Sequence, residues 1–219
     1  AGQLYCSLRG GAKTSNIGEG LADLKVMTRN GKTFNLSAKF GKTVTFFNSG
    51  IGRVVFPPDG AFPEDEFKSG QFKDKRGKAI LDLFGLDPQK FRDVFEKYVE
   101  KSGVIKKRKA PKEIVNVPLS SAKKTELQEF LKTVIGHGFL LVHLDDKGHV
   151  HHYEMTKSRL DKASKITTDL SIEYPMEGSA KRIDIKVETE LYKLNFNIRS
   201  KAAGVTKPTH IMCDYELKH

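Results

Sequence analysis

Asp23, Ser37 and Lys39 are the residues of this chain whose types and spacing best suit chemistry. They lie within Gly18 to Gly52, GEGLADLKVMTRNGKTFNLSAKFGKTVTFFNSGIG, with Asn30-Gly31 between the acid and the lysine. An Asn-Gly pair between two strand-like runs predicts a hairpin, because both turn residues must reach positive φ. The hairpin sets the Asp23 strand beside the strand carrying Ser37 and Lys39. One carboxylate and one lysine at neighbouring strand positions can hold a divalent cation next to a cationic side chain. That pairing suits phosphodiester hydrolysis, where a water is activated and growing negative charge must be stabilised. A Gly/Ser/Asn loop over Gly10–Gly20 delivers Glu19 to the start of the Asp23 strand.

Other constellations compete. A plain salt bridge across a hairpin would also place an acid beside a lysine, and such pairs are worth little. Glu173, followed by Asp184-Ile185-Lys186, offers a second acid-to-lysine pattern. It ranks below the first because Arg182, Asp184, Lys186, Glu188 and Glu190 alternate strictly, as the solvated face of an amphipathic strand does. Lys39 instead sits among Leu36, Ala38 and Phe40. His143, His149, His151 and His152 fall on one predicted hairpin around Asp145-Asp146-Lys147-Gly148. Their nitrogens suit zinc, and exposed strand residues or phosphate contacts are the ordinary alternative. The sequence pattern assigns them no carboxylate or cysteine partner.

These residues need a scaffold. The 219 residues suit one large domain or two small ones. The expected division is 1–103, a core with a β-meander and helices, and 104–219, an α+β portion packed on it; a single domain is the alternative. Strands are expected at Leu4–Leu8, Leu21–Thr28, Thr33–Phe40 and Thr43–Asn48, the last three as an antiparallel meander, and at Arg53–Phe56. Helices are expected over Glu64–Phe84 and Pro88–Ser102, the latter with Phe91, Val94, Phe95, Tyr98 and Val99 at helical spacing. A helix capped by Ser120 or Ser121 runs to Ile135. Then come a hairpin over Phe139–Leu144 and His149–Met155, a short helix to Ser164, and strands at 166–174, 182–191, 192–199 and 210–217. The class is therefore α+β, with a mixed, largely antiparallel sheet and flanking helices.

Charge points to a partner. The chain carries 38 Lys plus Arg against 27 Asp plus Glu, a net +11 that favours a polyanion, most simply nucleic acid, and DNA is the expected partner. Lys106, Lys107, Arg108 and Lys109 form a proline-broken basic segment that suits a phosphate backbone or a solvated linker. Asn195, Asn197, Arg199 and Lys201 suit nucleic-acid contact, since Asn and Arg read base edges and Lys holds phosphates; a polar strand face is the alternative. Two cysteines give no disulfide framework, so a reducing, cytoplasmic setting is expected. No apolar run spans a bilayer. There is no P-loop, dinucleotide fingerprint or serine-nucleophile elbow.

The segment ADLKVMTRNGKTFNLSAKFG resembles the central hairpin of the PD-(D/E)XK nuclease superfamily, the fold of many restriction endonucleases. That family carries an Asp near the end of one strand, then Glu or Asp, one residue, and Lys on the next. Asp23 matches the first acid and Lys39 the lysine. TVTFFNSGIG resembles the strand and turn that trail the lysine, and FNIRSKAAGVTKPTHIMCDYEL is similar to a late segment of some restriction enzymes. The resemblance implies a restriction-endonuclease-like core, a Mg²⁺ or Mn²⁺ cofactor held by Asp23 and the Ala38 carbonyl, a water oriented by Lys39, and a homodimer addressing two strands. The chain departs from the pattern at Ser37, where the family has Glu or Asp, and Glu19 is the carboxylate placed to compensate. It departs again in the short stretch before Asp23, too short for the helix that usually precedes this hairpin.

Overall fold

The structure, a computed structural model, describes residues 23–51, 71–96, 111–176, 182–199 and 208–218. In chain order the strands are β1 (Leu24–Met27), β2 (Thr33–Phe40), β3 (Val44–Gly50), β4 (Lys112–Val117), β5 (Phe139–Leu144), β6 (Val150–Met155), β7 (Leu170–Pro175), β8 (Ile183–Glu188), β9 (Tyr192–Arg199) and β10 (His210–Leu217). The helices are α1 (Gln71–Phe84), α2 (Pro88–Glu96), α3 (Ser121–Ile135) and α4 (Lys157–Ser164). The strands form two sheets, ordered β1-β2-β5-β6 and β3-β10-β9-β8-β7-β4. Among the described residues β2–β5 is the parallel pair and the other ladders are antiparallel. The class is α+β, as the order of elements predicts.

Local chemistry starts three of the helices. Ser120 accepts from the Lys123 amide at 3.3 Å and Thr156 from the Arg159 amide at 3.1 Å, capping α3 and α4. The Asp87 carboxylate accepts from the Gln89 and Lys90 amides at 2.7 and 3.2 Å, with Pro88 opening α2. Leu127, Phe130, Leu131 and Val134 then recur at the spacing of one helix face, and all are buried.

Strand periodicity builds the core. On β9, Tyr192, Leu194, Phe196 and Ile198 face inward while Lys193, Asn195, Asn197 and Arg199 take the other face. Register lines up Ile172, Ile185, Phe196, Cys213 and Phe47 in one buried row across the six-stranded sheet. Helices α1 and α3 cover this row through Phe84, 4.9 Å from the Phe196 ring, and Phe130, 6.3 Å from it. Each such ring contributes about 1.5–3 kcal/mol by leaving water. The four-stranded sheet turns Phe139, Leu141 and His143 toward the core and leaves Leu24, Val26, Phe34, Phe40 and Val150 exposed on its outer face.

The structure corrects two expectations. The antiparallel meander does not form: β1 and β2 pair around the Asn30-Gly31 turn, but β2 then pairs with β5 and β3 with β10. Gly41, at φ 102°, redirects the chain between the sheets, a conformation that side-chain-bearing residues avoid. Each sheet takes strands from both sides of position 103. Lys112–Val117, from the end of the basic segment onward, forms edge strand β4, where no strand was expected. The expected strands at Leu4–Leu8 and Arg53–Phe56, the start of the Glu64 helix and the end of the Pro88 helix lie outside the described residues.

Candidate active site

Asp23 immediately precedes β1, and its amide donates to the Leu36 carbonyl of β2 at 2.8 Å, which sets its carboxylate beside Ser37. Its Oδ2 accepts from Ser37 Oγ at 3.0 Å and from the Ala38 amide at 2.9 Å. In a strand, the N–H and C=O of one residue project to the same side. The Ala38 carbonyl therefore also projects toward the Asp23 side of β2. Both are hard oxygen donors, the kind that Mg²⁺ and Mn²⁺ prefer, and Mg²⁺ keeps several of its waters. Glu19, the expected second carboxylate, lies outside the described residues. Ser37 is buried, so its hydroxyl locks the Asp23 carboxylate in place.

Lys39 lies two residues beyond Ser37, on the same face of β2, and is half-buried. Its in-register neighbour on β5 is the buried His143. The Gly41 carbonyl accepts from His143 Nε2 at 2.6 Å, which requires the proton on that nitrogen. The Tyr215 ring of β10 meets the His143 ring edge-on at 5.8 Å. Where β2 and β3 part after Gly41, a cleft of about 510 Å³ opens, lined by Lys39, Phe40, Thr43, Thr45 and Asn48 among others. Ala38 and Lys39 thus line a cleft at the junction of the two sheets, next along β2 from the Asp23–Ser37 contact.

The rival residues also meet. Glu173 and Asp184 pair directly between β7 and β8, and Lys186 lies two residues on, on the same face. The expectation of a solvated face fails for Asp184, which is 4% exposed, and its partner Glu173 is 7% exposed. The alternating pattern marks the polar face correctly, but interior strands of a six-stranded sheet shield short acids that a lone strand would expose. Lys112 and Lys186 both bond Glu173, and Arg182 Nε lies 3.2 Å from Asp184. Lys112 Nζ also approaches Asp184 at 3.7 Å. Three cations enclose two carboxylates, which describes a closed ion network more than an open cation site.

Burial pushes the Glu173 carboxyl up, but hydrogen bonds from Lys112 and Lys186 outweigh it and hold the group below its ordinary 4.5. A lowered folded-state value stabilises the fold fully above the unfolded value and loses that contribution as pH falls through the folded one. Glu173→Gln should therefore flatten the loss of stability below about pH 4.5, read by urea melts across pH. An acid limb identical to wild type would show that the network adds nothing on folding.

The candidate nucleic-acid residues separate. Asn197 is fully buried, and its Oδ1 accepts from Arg199 Nε at 2.8 Å, so it is not open to a base edge. Asn195 borders a groove of about 610 Å³ with Arg182, Lys186, Lys193 and Asp214. Lys106, Lys107, Arg108, Lys109 and Lys201 lie outside the described residues. Of the histidines, His149 and His151 share a carboxylate that the sequence pattern did not assign to them, Asp145. The signal was present: an acid opening the β5–β6 turn points back at the strand that leaves it.

No family model, curated protein or solved structure matches the chain. The functional reading therefore rests on this geometry and on the resemblance of the Asp23–Lys39 hairpin to restriction endonucleases. Among the described residues, no helix is long and apolar enough to cross a membrane.

Proposed function

We propose that this chain is a metal-dependent endonuclease that hydrolyses DNA phosphodiester bonds at the Asp23–Lys39 hairpin. The observation that carries the reading is the contact of the Asp23 carboxylate with Ser37 and Ala38, with Lys39 beside the β2–β3 cleft. A divalent cation held by Asp23 and the Ala38 carbonyl supplies water activation and charge neutralisation at the phosphate. The residues of the chain do the rest. Ser37 and the Ala38 amide hold Asp23 in one rotamer, so no reorganisation is needed when substrate arrives. Lys39 brings a compact ammonium to the scissile phosphate and orients the attacking water. The net charge of +11 draws the polyanion in and makes binding salt-dependent. A homodimer would present two such hairpins to two strands.

The test is incubation with plasmid and single-stranded DNA, with Mg²⁺ or Mn²⁺ and with EDTA. Cleavage is expected with the metals and not with EDTA, while DNA binding persists in both. One observation favours a second reading, a DNA-binding module without catalysis: the buried hydroxyl of Ser37 stands where a second metal-binding acid is expected. Binding without cleavage under every metal condition would select that reading.

A further inference from the structure

Asp145, His149 and His151 gather three ligand atoms within 4.8 Å of one another at the β5–β6 turn. Asp145 Oδ2 lies 3.2 Å from His149 Nδ1 and 3.1 Å from His151 Nε2. In a tetrahedral zinc site with bonds of about 2.0–2.2 Å, neighbouring ligand atoms are about 3.3–3.6 Å apart. Both contacts fall within a few tenths of an ångström of that spacing. The turn builds this arrangement. Asp145 Oδ1 accepts from the Lys147 amide at 2.9 Å and the His149 amide at 2.8 Å, which leaves Oδ2 aimed at the two imidazoles. Hydrogen bonds to the other oxygen of a ligating carboxylate are what orient a metal ligand. Strand alternation puts His151 on the core-facing side of β6, in register with His143. Its ring stacks nearly parallel on Tyr153, at 6.5 Å and 11°.

We infer that Asp145, His149 and His151 form a binding site for a first-row transition cation of the zinc class. Two imidazoles and one carboxylate select borderline cations such as Zn²⁺ and Co²⁺ over Mg²⁺, which takes oxygen donors. His149 is largely exposed, so the fourth position opens to solvent, and three protein ligands with an open position is the pattern of zinc sites that take water or a ligand. The site is separate from the Asp23 hairpin. Lys39, His143 and His151 are in register on β2, β5 and β6, so the His151 backbone lies about two strand spacings, ~10 Å, from that of Lys39. The proposed nuclease reading is not needed for it.

The experiment is calorimetric titration of the full chain with Zn²⁺, together with the visible spectrum of the Co²⁺ form. One equivalent of Zn²⁺ is expected to bind, and Co²⁺ should give the intense bands of a four-coordinate site. Excess Mg²⁺ should not compete. His149→Ala should weaken Zn²⁺ at least tenfold and bleach the Co²⁺ bands, and its exposed position leaves the fold untouched. Asp145→Asn keeps an oxygen for the two turn amides but loses the anionic ligand, and the same loss is expected. Absence of a Zn²⁺ equivalent in the wild-type chain overturns the inference. So does Zn²⁺ binding of equal strength in both variants.

Discussion

Lys39→Ala is expected to leave the fold intact and to slow DNA cleavage by about 10²-fold or more, the usual scale for a lost acid–base or charge-stabilising group. Lys39 is half-buried on the inner face of β2, so a purely structural lysine there would change stability by less than about 1 kcal/mol. Arginine should rescue it poorly, since a guanidinium neither deprotonates nor matches a compact ammonium. Asp23→Ala should abolish metal-dependent cleavage while leaving DNA affinity largely unchanged. It also strips Ser37 of its acceptor, a buried loss of about 1–3 kcal/mol. Asp23→Asn, which keeps an oxygen for Ser37 and Ala38, therefore separates chemistry from folding. Asp184→Ala should melt early and still cut, because it breaks an ion network away from the hairpin. Single-turnover cleavage with saturating enzyme, beside thermal melts, reads all five. Normal melting and normal cutting in Lys39→Ala would remove the hairpin from the reaction. A dead Asp184→Ala that still binds DNA would move the site to β7 and β8.

Phe196→Ala should cost about 3–5 kcal/mol, the range for emptying a fully buried aromatic site. Phe196 sits where α1, α3 and the six-stranded sheet converge, against Phe84, Phe130 and Phe47. Backbone ladders on both sides of β9 prevent the strand from moving in to fill the space. Phe40→Ala is the control: at 71% exposure it should change stability by less than about 0.5 kcal/mol. Urea denaturation compares the two directly, and equal midpoints would contradict a core centred on Phe196.

What was legible in the sequence was local. Asn30-Gly31 marks a turn, and the hairpin it closes brings Asp23 within hydrogen-bond reach of Ser37. Ser120 and Thr156 cap the helices they precede, and the alternation on β9 sorts core from surface. What was not legible depended on partners far along the chain. Gly41 and its short loop look like one more hairpin, yet β3 pairs with β10, far along the chain, and not with β2. The basic stretch hid β4 because lysine is a poor strand signal and an edge position tolerates it. Asp184 reads as solvated because periodicity reports which face a residue takes, not how much of that face its neighbours cover. Asp145 escapes notice because a turn acid is ordinarily explained by the turn.

The departure of β3 from β2 also bears on the order of assembly during synthesis. Thr45 Oγ1 donates to Asp214 at 2.6 Å across a sequence separation of 169 residues. Strand β2 likewise waits for β5 before it gains its inner neighbour. Pairings this distant must close long loops before they return any stabilisation, which places such topologies at the slow, millisecond-to-second end of two-state folding. Until His210–Leu217 has left the ribosome, the β3 edge has no ladder partner, and an unpaired strand edge is a template for other chains. Strand β10, the latest of the ten to be synthesised, is therefore the one that completes the sheet, and shortening the chain before His210 should turn a folding protein into an aggregating one.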